Sequence, residues 1–148
     1  MEEKAVYVSK SEADTEKIAA DFADRLNKGD FIAFFGDLGS GKTAFVRGLA
    51  SKLCPGARVA SPTFAIVNEY RGKTDIYHFD MYRITDDDSL YSTGFYDYFD
   101  RGGIIAVEWS ENIPFGLPDE RYDVIFSKIS ENERKIEIVK KNACKKVK

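Results

Sequence analysis

The residues best suited to chemistry form one run, Gly36-Asp37-Leu38-Gly39-Ser40-Gly41-Lys42-Thr43, which fits the spacing G-x-x-x-x-G-K-[ST]. That spacing builds a phosphate cradle. Its glycines let the backbone turn so that several N–H groups point inward, its lysine reaches the β- and γ-phosphates, and its threonine hydroxyl holds Mg²⁺. The flanking residues agree. Phe31-Ile32-Ala33-Phe34-Phe35 is an apolar run of strand length, and Ala44-Phe45-Val46-Arg47-Gly48-Leu49-Ala50 has the spacing of a helix, so the loop joins a strand to a helix.

A cradle binds but does not by itself cleave, so carboxylates are needed to complete a metal site. Mg²⁺ takes one or two protein carboxylates and fills its octahedron with phosphate oxygens and water. Asp80 and Glu108 each close an apolar strand run. In open α/β sheets the ligand crevice lies beyond the carboxyl ends of the strands. If both runs flank the central strand in register, both acids reach the Thr43 side of the cradle. Asp80 then helps hold Mg²⁺, directly or through water, and Glu108 either polarises the attacking water or shares the metal. Ser61 and Thr63 suit a segment that senses the γ-phosphate. Arg83 is a candidate for neutralising transition-state charge or for pairing with Asp86, Asp87 and Asp88. His78, inside a strand pattern, reads as a core or surface residue, and Trp109 either packs or shields the crevice beside Glu108.

The elements that position these groups follow in order. Residues 6–8 suit a short edge strand. Ser11-Glu12-Ala13-Asp14 opens a helix with a capping-box-like start, and the stripe Ile18, Phe22, Leu26 extends it to about Asn27, where Gly29 stops it. The helix after the cradle stops near Leu53, ahead of Pro55-Gly56. Residues 64–70 and 75–79 read as antiparallel strands across an Arg71-Gly72-Lys73 turn. Thr85 to Asp88 begin another helix, with acids against the positive end of its dipole. Phe95 to Phe99 form a short helix after Gly94, and Ile104 to Val107 form a buried strand. Residues 122–129 and 134–139 make a closing hairpin.

Two GTPase-like motifs are misplaced. Asn27-Lys28-Gly29-Asp30 precedes the cradle instead of following it, and Asp100-Arg101-Gly102-Gly103 leads into a strand instead of ending one. Guanine recognition is therefore set aside.

With 148 residues the chain makes one domain, residues 1–140, and a lysine-rich tail, 141–148. A domain of this size buries about two thirds of its unfolded surface without staples. The formal net charge of −3 weighs against a whole-surface nucleic-acid binder. The tail reads as a solvated end that leaves RNA contact open. Cys54 and Cys144, the only cysteines, lie far apart and suggest neither a disulfide framework nor zinc. With no signal-like start and no span-length apolar stretch, a cytoplasmic location is expected.

Together, the cradle, Ser61-Pro62-Thr63-Phe64, His78-Phe79-Asp80-Met81-Tyr82-Arg83 and Glu108-Trp109 closely resemble the TsaE (YjeE) family, the small P-loop ATPases of bacterial tRNA threonylcarbamoyladenosine synthesis. The resemblance runs from about residue 11 to 139. It implies an α/β fold of the P-loop NTPase type: three layers, a central mixed sheet with helices on both faces, and added antiparallel hairpins. It implies ATP and Mg²⁺ as cofactors, and TsaD and TsaB as partners through which tRNA is met, with no membrane or DNA role. It also assigns Thr43 and Glu108 to Mg²⁺, with Asp80 on the metal or next to a group that is. Ser61 to Phe64 become a switch segment, Trp109 matches the family's tryptophan, Arg134 lies near the nucleotide base, and the stretch around Ser11 to Thr15 approaches it too. From the residues alone, the chain reads only as a P-loop nucleotide hydrolase. A small-molecule kinase and a nucleotide sensor without turnover are the rival readings.

Overall fold

A computed structural model describes residues 3–36, 40–62 and 66–142. Seven strands form one sheet in the order β1-β7-β6-β2-β5-β4-β3. These are β1 (Glu3–Ser9), β2 (Phe31–Gly36), β3 (Val67–Tyr70), β4 (Ile76–Asp80), β5 (Ile104–Glu108), β6 (Arg121–Lys128) and β7 (Arg134–Lys141). The inner strands β6, β2, β5 and β4 are mutually parallel. At the margins, β3 pairs antiparallel with β4, β7 with β6, and β1 with β7. The sheet is thus mixed, with antiparallel hairpins added to a parallel core. This parallel core aims the carboxyl ends of four strands at one edge, which is the edge where the cradle begins.

The burial pattern explains why both faces are covered. β2 reads Phe31-Ile32-Ala33-Phe34 with every residue buried, as a central parallel strand requires. Its alternate side chains feed two cores. Ile32 and Phe34 join Phe22, Phe45, Leu49, Val124 and Ile138 beneath the helices α1 (Glu12–Ala23) and α2 (Ser40–Leu53). Phe31 and Ala33 join Tyr77, Phe79, Leu90, Phe95 and Val107 on the opposite face, under α3 (Asp87–Ser92) and the 3-10 turn Phe95–Asp100. The two larger helices cross closely at Gly48, where an added Cβ would lie 2.2 Å from the Glu16 carbonyl oxygen.

The local signals behave as their chemistry requires. The Ser11 side chain accepts the Asp14 N–H at 3.0 Å, and the Asp14 carboxylate accepts the Lys10 N–H at 2.9 Å, so α1 is capped from both sides. Asp86 caps α3 by accepting the Ser89 N–H at 2.7 Å. Some boundaries differ from expectation: β1 spans Glu3–Ser9, well beyond residues 6–8, β7 runs past 139 to Lys141, and α1 ends at Ala23, not near Asn27. Arg25 and Leu26 donate to Phe22 and Ala23, three residues back, so the end tightens into a 3-10-type turn while Leu26 still packs on the core. The Asn27–Asp30 stretch is then a tight turn closed by the Asn27 N–H on Asp30 Oδ2 at 2.8 Å, with Gly29 at φ 89°. No helix among the described residues is long and apolar enough to cross a membrane.

Candidate functional site

The cradle hangs between β2 and α2, and steric crowding from β6 dictates its glycines. Gly36 has φ 121°, and a Cβ there would fall 2.3 Å from the Phe126 carbonyl oxygen. A Cβ on Gly41 would fall 2.8 Å from the Phe126 ring. Gly36 admits no side chain without moving the β6 backbone, and Gly41 none without displacing the Phe126 ring. Asp37, Leu38 and Gly39 lie outside the described residues, as does the Ser40 side chain.

Lys42 follows in the first turn of α2 and is only 2% exposed. Its ammonium donates to the Gly36 carbonyl at 2.7 Å and sits 4.9 Å from the centre of the Trp109 ring. Trp109 therefore does more than pack: its face covers the Lys42 ammonium. It achieves this from a left-handed backbone, φ 60°, just past the end of β5. The Tyr82 ring meets Trp109 edge-on at 5.0 Å. Two residues further on, Glu111 accepts the Gly36 N–H at 3.1 Å, tying the start of the cradle to the segment after β5. Thr43 is half-buried in the same first turn of α2.

The sheet order changes one part of the expected layout. Only β5 flanks β2 on that side; β4 lies one strand further out. The two acids still meet, because β4 and β5 are parallel with Asp80 directly opposite Glu108. Burial pushes the Asp80 carboxyl above its ordinary range. The Tyr82 N–H opposes that rise, the Glu108 charge adds to it, and His78 and Lys42 counter it. Asp80, Glu108 and Lys42 thus belong to one electrostatic cluster. Two carboxylates paired across adjacent strands are hard oxygen donors of the kind a divalent cation takes.

His78 is a core residue, as its place in the strand pattern allowed, and both of its ring nitrogens are engaged there. It is fully buried, and its Nε2 lies 2.5 Å from Glu108 Oε2 while its Nδ1 lies 3.1 Å from the Tyr70 hydroxyl. His78 and Asp80 share a strand face at i and i+2, which was visible in the sequence. Tyr70 sits diagonally across the hairpin, which was not.

The remaining candidates separate by place. Arg134 opens β7 and donates to the Ser130, Glu131 and Glu133 carbonyls, closing the β6–β7 turn. It also lines a cleft of about 170 Å³ with Ser11, Thr15, Gly41 and Asn132. The structure therefore brings Arg134 and the Ser11–Thr15 stretch to the amino end of α2. Ser61 is exposed and Pro62 buried, while Thr63 and Phe64 lie outside the described residues. Arg83 is exposed. A roomier cleft of about 540 Å³, between Pro55–Arg58 and Asn68–Arg71, contains none of the cradle residues and lies past the far end of α2.

Comparison with known proteins places the chain in a family. The family described as Threonylcarbamoyl adenosine biosynthesis protein TsaE matches residues 9–136. A TsaE protein of Bacillus subtilis is 38% identical over 124 residues, spanning 83% of this chain and 77% of its own. One from Aquifex aeolicus is 39% identical, spanning 90% of this chain and 95% of its own. The crystal structure of Bacillus subtilis YdiB superposes with a TM-score of 0.81 at 31% identity, covering 96% of this chain and 88% of that one. The chain belongs to the TsaE family and to the threonylcarbamoyladenosine branch of tRNA modification.

Proposed function

We propose that this chain binds ATP with Mg²⁺ in the loop 36–43 and hydrolyses it, and that turnover acts on a partner complex of TsaD and TsaB during threonylcarbamoylation of tRNA. The observation that carries the reading is the meeting of Asp80 and Glu108 at the carboxyl ends of adjacent parallel strands, within electrostatic reach of Lys42. Lys42 exchanges the Gly36 carbonyl for phosphate oxygens, which are stronger, charged acceptors. The amino end of α2 supplies backbone N–H groups and a favourable dipole for the same phosphates. Thr43 and Glu108 would hold Mg²⁺, with Asp80 touching the metal or a water bound to it. The metal would neutralise charge on the phosphoryl group as it transfers. His78 engages Glu108 Oε2, so the second carboxylate oxygen is the one offered to metal or to the attacking water. The cleft lined by Arg134, Ser11 and Thr15 is suited to the base and sugar.

A kinase reading calls for an arginine-bearing lid between helices. After Glu108 the described chain consists of short 3-10 turns and the β6–β7 hairpin, which favours hydrolysis linked to a partner over transfer to a small molecule.

The test is Glu108→Ala, read by nucleotide binding and by phosphate release with and without TsaB and TsaD. Nucleotide should remain bound while hydrolysis falls by a factor of at least about 10², the usual worth of a positioned acid–base group. Wild-type chain that is not stimulated by the partners, together with tRNA modification proceeding equally well in its absence, would sink the proposal.

A further inference from the structure

The buried contacts around Glu108 continue away from the cradle in a line. Glu108 Oε2 meets His78 Nε2 at 2.5 Å, and His78 Nδ1 meets the Tyr70 hydroxyl at 3.1 Å. The Tyr70 oxygen lies 3.3 Å from the Ala60 N–H. Ala60 immediately precedes Ser61-Pro62, the start of the segment expected to respond to the γ-phosphate.

Donor and acceptor rules give this line a direction. An ionised Glu108 only accepts, so His78 must place its hydrogen on Nε2. With a single proton on the ring, Nδ1 is an acceptor, and the Tyr70 O–H is the donor that satisfies it. Tyr70 in turn accepts the Ala60 N–H. The Ala60 carbonyl lies within reach of the Tyr70 hydroxyl as well, at 3.0 Å, and already accepts the Asn68 amide at 3.0 Å, whereas the buried Nδ1 has Tyr70 as its one donor among the described residues. Giving the hydroxyl proton to His78 therefore leaves no buried acceptor unmet. Every donor thus points from the backbone at Ala60 toward the Glu108 carboxylate, and bonds so aligned polarise one another. His78 has no exposed surface, so water cannot replace either link without opening the site.

We propose that Tyr70 and His78 are positioning residues forming a relay that fixes the Glu108 carboxylate and couples its orientation to the 60–62 segment. The inference rests on Glu108 serving the metal or the water, as proposed above. Outer partners of ligating groups typically change metal affinity 10- to 100-fold when removed, and that is the scale of effect assigned to this relay.

His78 is the chain's only histidine, so its imidazole resonances in ¹⁵N-histidine-labelled protein need no assignment. The expected spectrum is a neutral ring protonated at Nε2, with a hydrogen-bonded proton that moves when Mg²⁺ and a non-hydrolysable ATP analogue are added. Tyr70→Phe keeps the ring and removes only the hydroxyl. It should shift Nδ1 toward the position of an unpartnered nitrogen. It should also weaken Mn²⁺, titrated as a probe into the nucleotide-bound protein, by about tenfold or more, while nucleotide affinity without metal stays within about twofold. His78→Gln, which still presents an N–H to Glu108, should retain more metal affinity than His78→Leu. A ring protonated at Nδ1 would overturn the relay, and so would Mn²⁺ binding in Tyr70→Phe equal to wild type. A chain that hydrolyses no ATP with any partner would defeat the functional reading instead, while the tautomer and the Mn²⁺ titration still decide the relay.

Discussion

At the scale of single residues, the most consequential contact is the burial of Lys42 between the Gly36 carbonyl and the Trp109 ring. Under the proposed function Lys42 turns from the Gly36 carbonyl to a phosphate, which changes the charge lying against the Trp109 ring. Trp109 is the only tryptophan in the chain, which makes its fluorescence a direct reporter. Adding ATP with Mg²⁺ is expected to change the emission in a saturable way. Lys42→Ala should weaken the binding read from that change by a factor of about ten to a hundred, since hydrogen bonds to charged groups contribute about 1.5–3 kcal/mol. An emission unaffected by nucleotide that is shown by equilibrium dialysis to bind would contradict the arrangement. The Glu111 contact to the Gly36 N–H belongs to the same scale. It gives the segment after β5 a second hold on the loop, and explains how a strained backbone at Trp109 is kept in place.

At the scale of elements, the site depends on how closely α1 and α2 approach on the sheet face that holds Asp80, His78 and Glu108. Gly48 permits that approach, with the Glu16 carbonyl and the Ala19 Cβ at 2.2 and 2.7 Å from where its own Cβ would stand. Although alanine is intrinsically the better helix former, Gly48→Ala should destabilise the fold by about 1–3 kcal/mol, because the backbone of α1 must move to admit it. Urea unfolding would show this as a lower midpoint at unchanged slope, and a midpoint equal to or above wild type would show that the helices separate without strain. Much at this scale was legible in the residues. The strand and helix flanking the cradle, the Ser11 cap, a helix start within Thr85 to Asp88 and the two acids ending strands all follow from local patterns that tertiary context did not override, although those patterns do not single out Asp86 as the cap of α3. What was not legible was strand order. Apolar runs at 76–80 and 104–108 look alike, and nothing local says that β5 lies against β2 while β4 is displaced outward. The Tyr70–His78 contact was hidden for the same reason, since it requires hairpin register and burial together.

At the scale of the whole molecule, carboxylates engaged at the β3 edge, in the β3–β4 turn and at the start of α3 set how the fold responds to acid. Glu69 on β3 receives the Tyr98 hydroxyl at 3.0 Å and the Arg101 guanidinium at 3.0 Å, and pairs with Arg71 at 2.8 Å. Burial pushes its carboxyl upward, but the bonds from Tyr98 and Arg101 outweigh that and hold it below the ordinary range. Asp75 is lowered chiefly by the Gly72 N–H, and Asp86 by the Ser89 N–H at its cap. A carboxylate lowered in the folded state adds stability that is present above its unfolded pKa, about 4. That stability is lost as pH falls through the lower folded value. Asp80 has the opposite sign, because burial raises it, so the folded chain takes up that proton before the unfolded chain does and gains stability as pH falls through the raised value. The two effects occupy different windows. Urea midpoints should hold level or rise slightly as pH drops from 7 toward about 5, then fall below about 4. Asp80→Asn should remove the early rise without touching the acid loss, and Glu69→Gln should lower stability at pH 7 while making the loss below pH 4 shallower. Parallel acid limbs for Glu69→Gln and wild type would show that the β3 pairs, despite their geometry, do not differ in strength between the folded and unfolded chains.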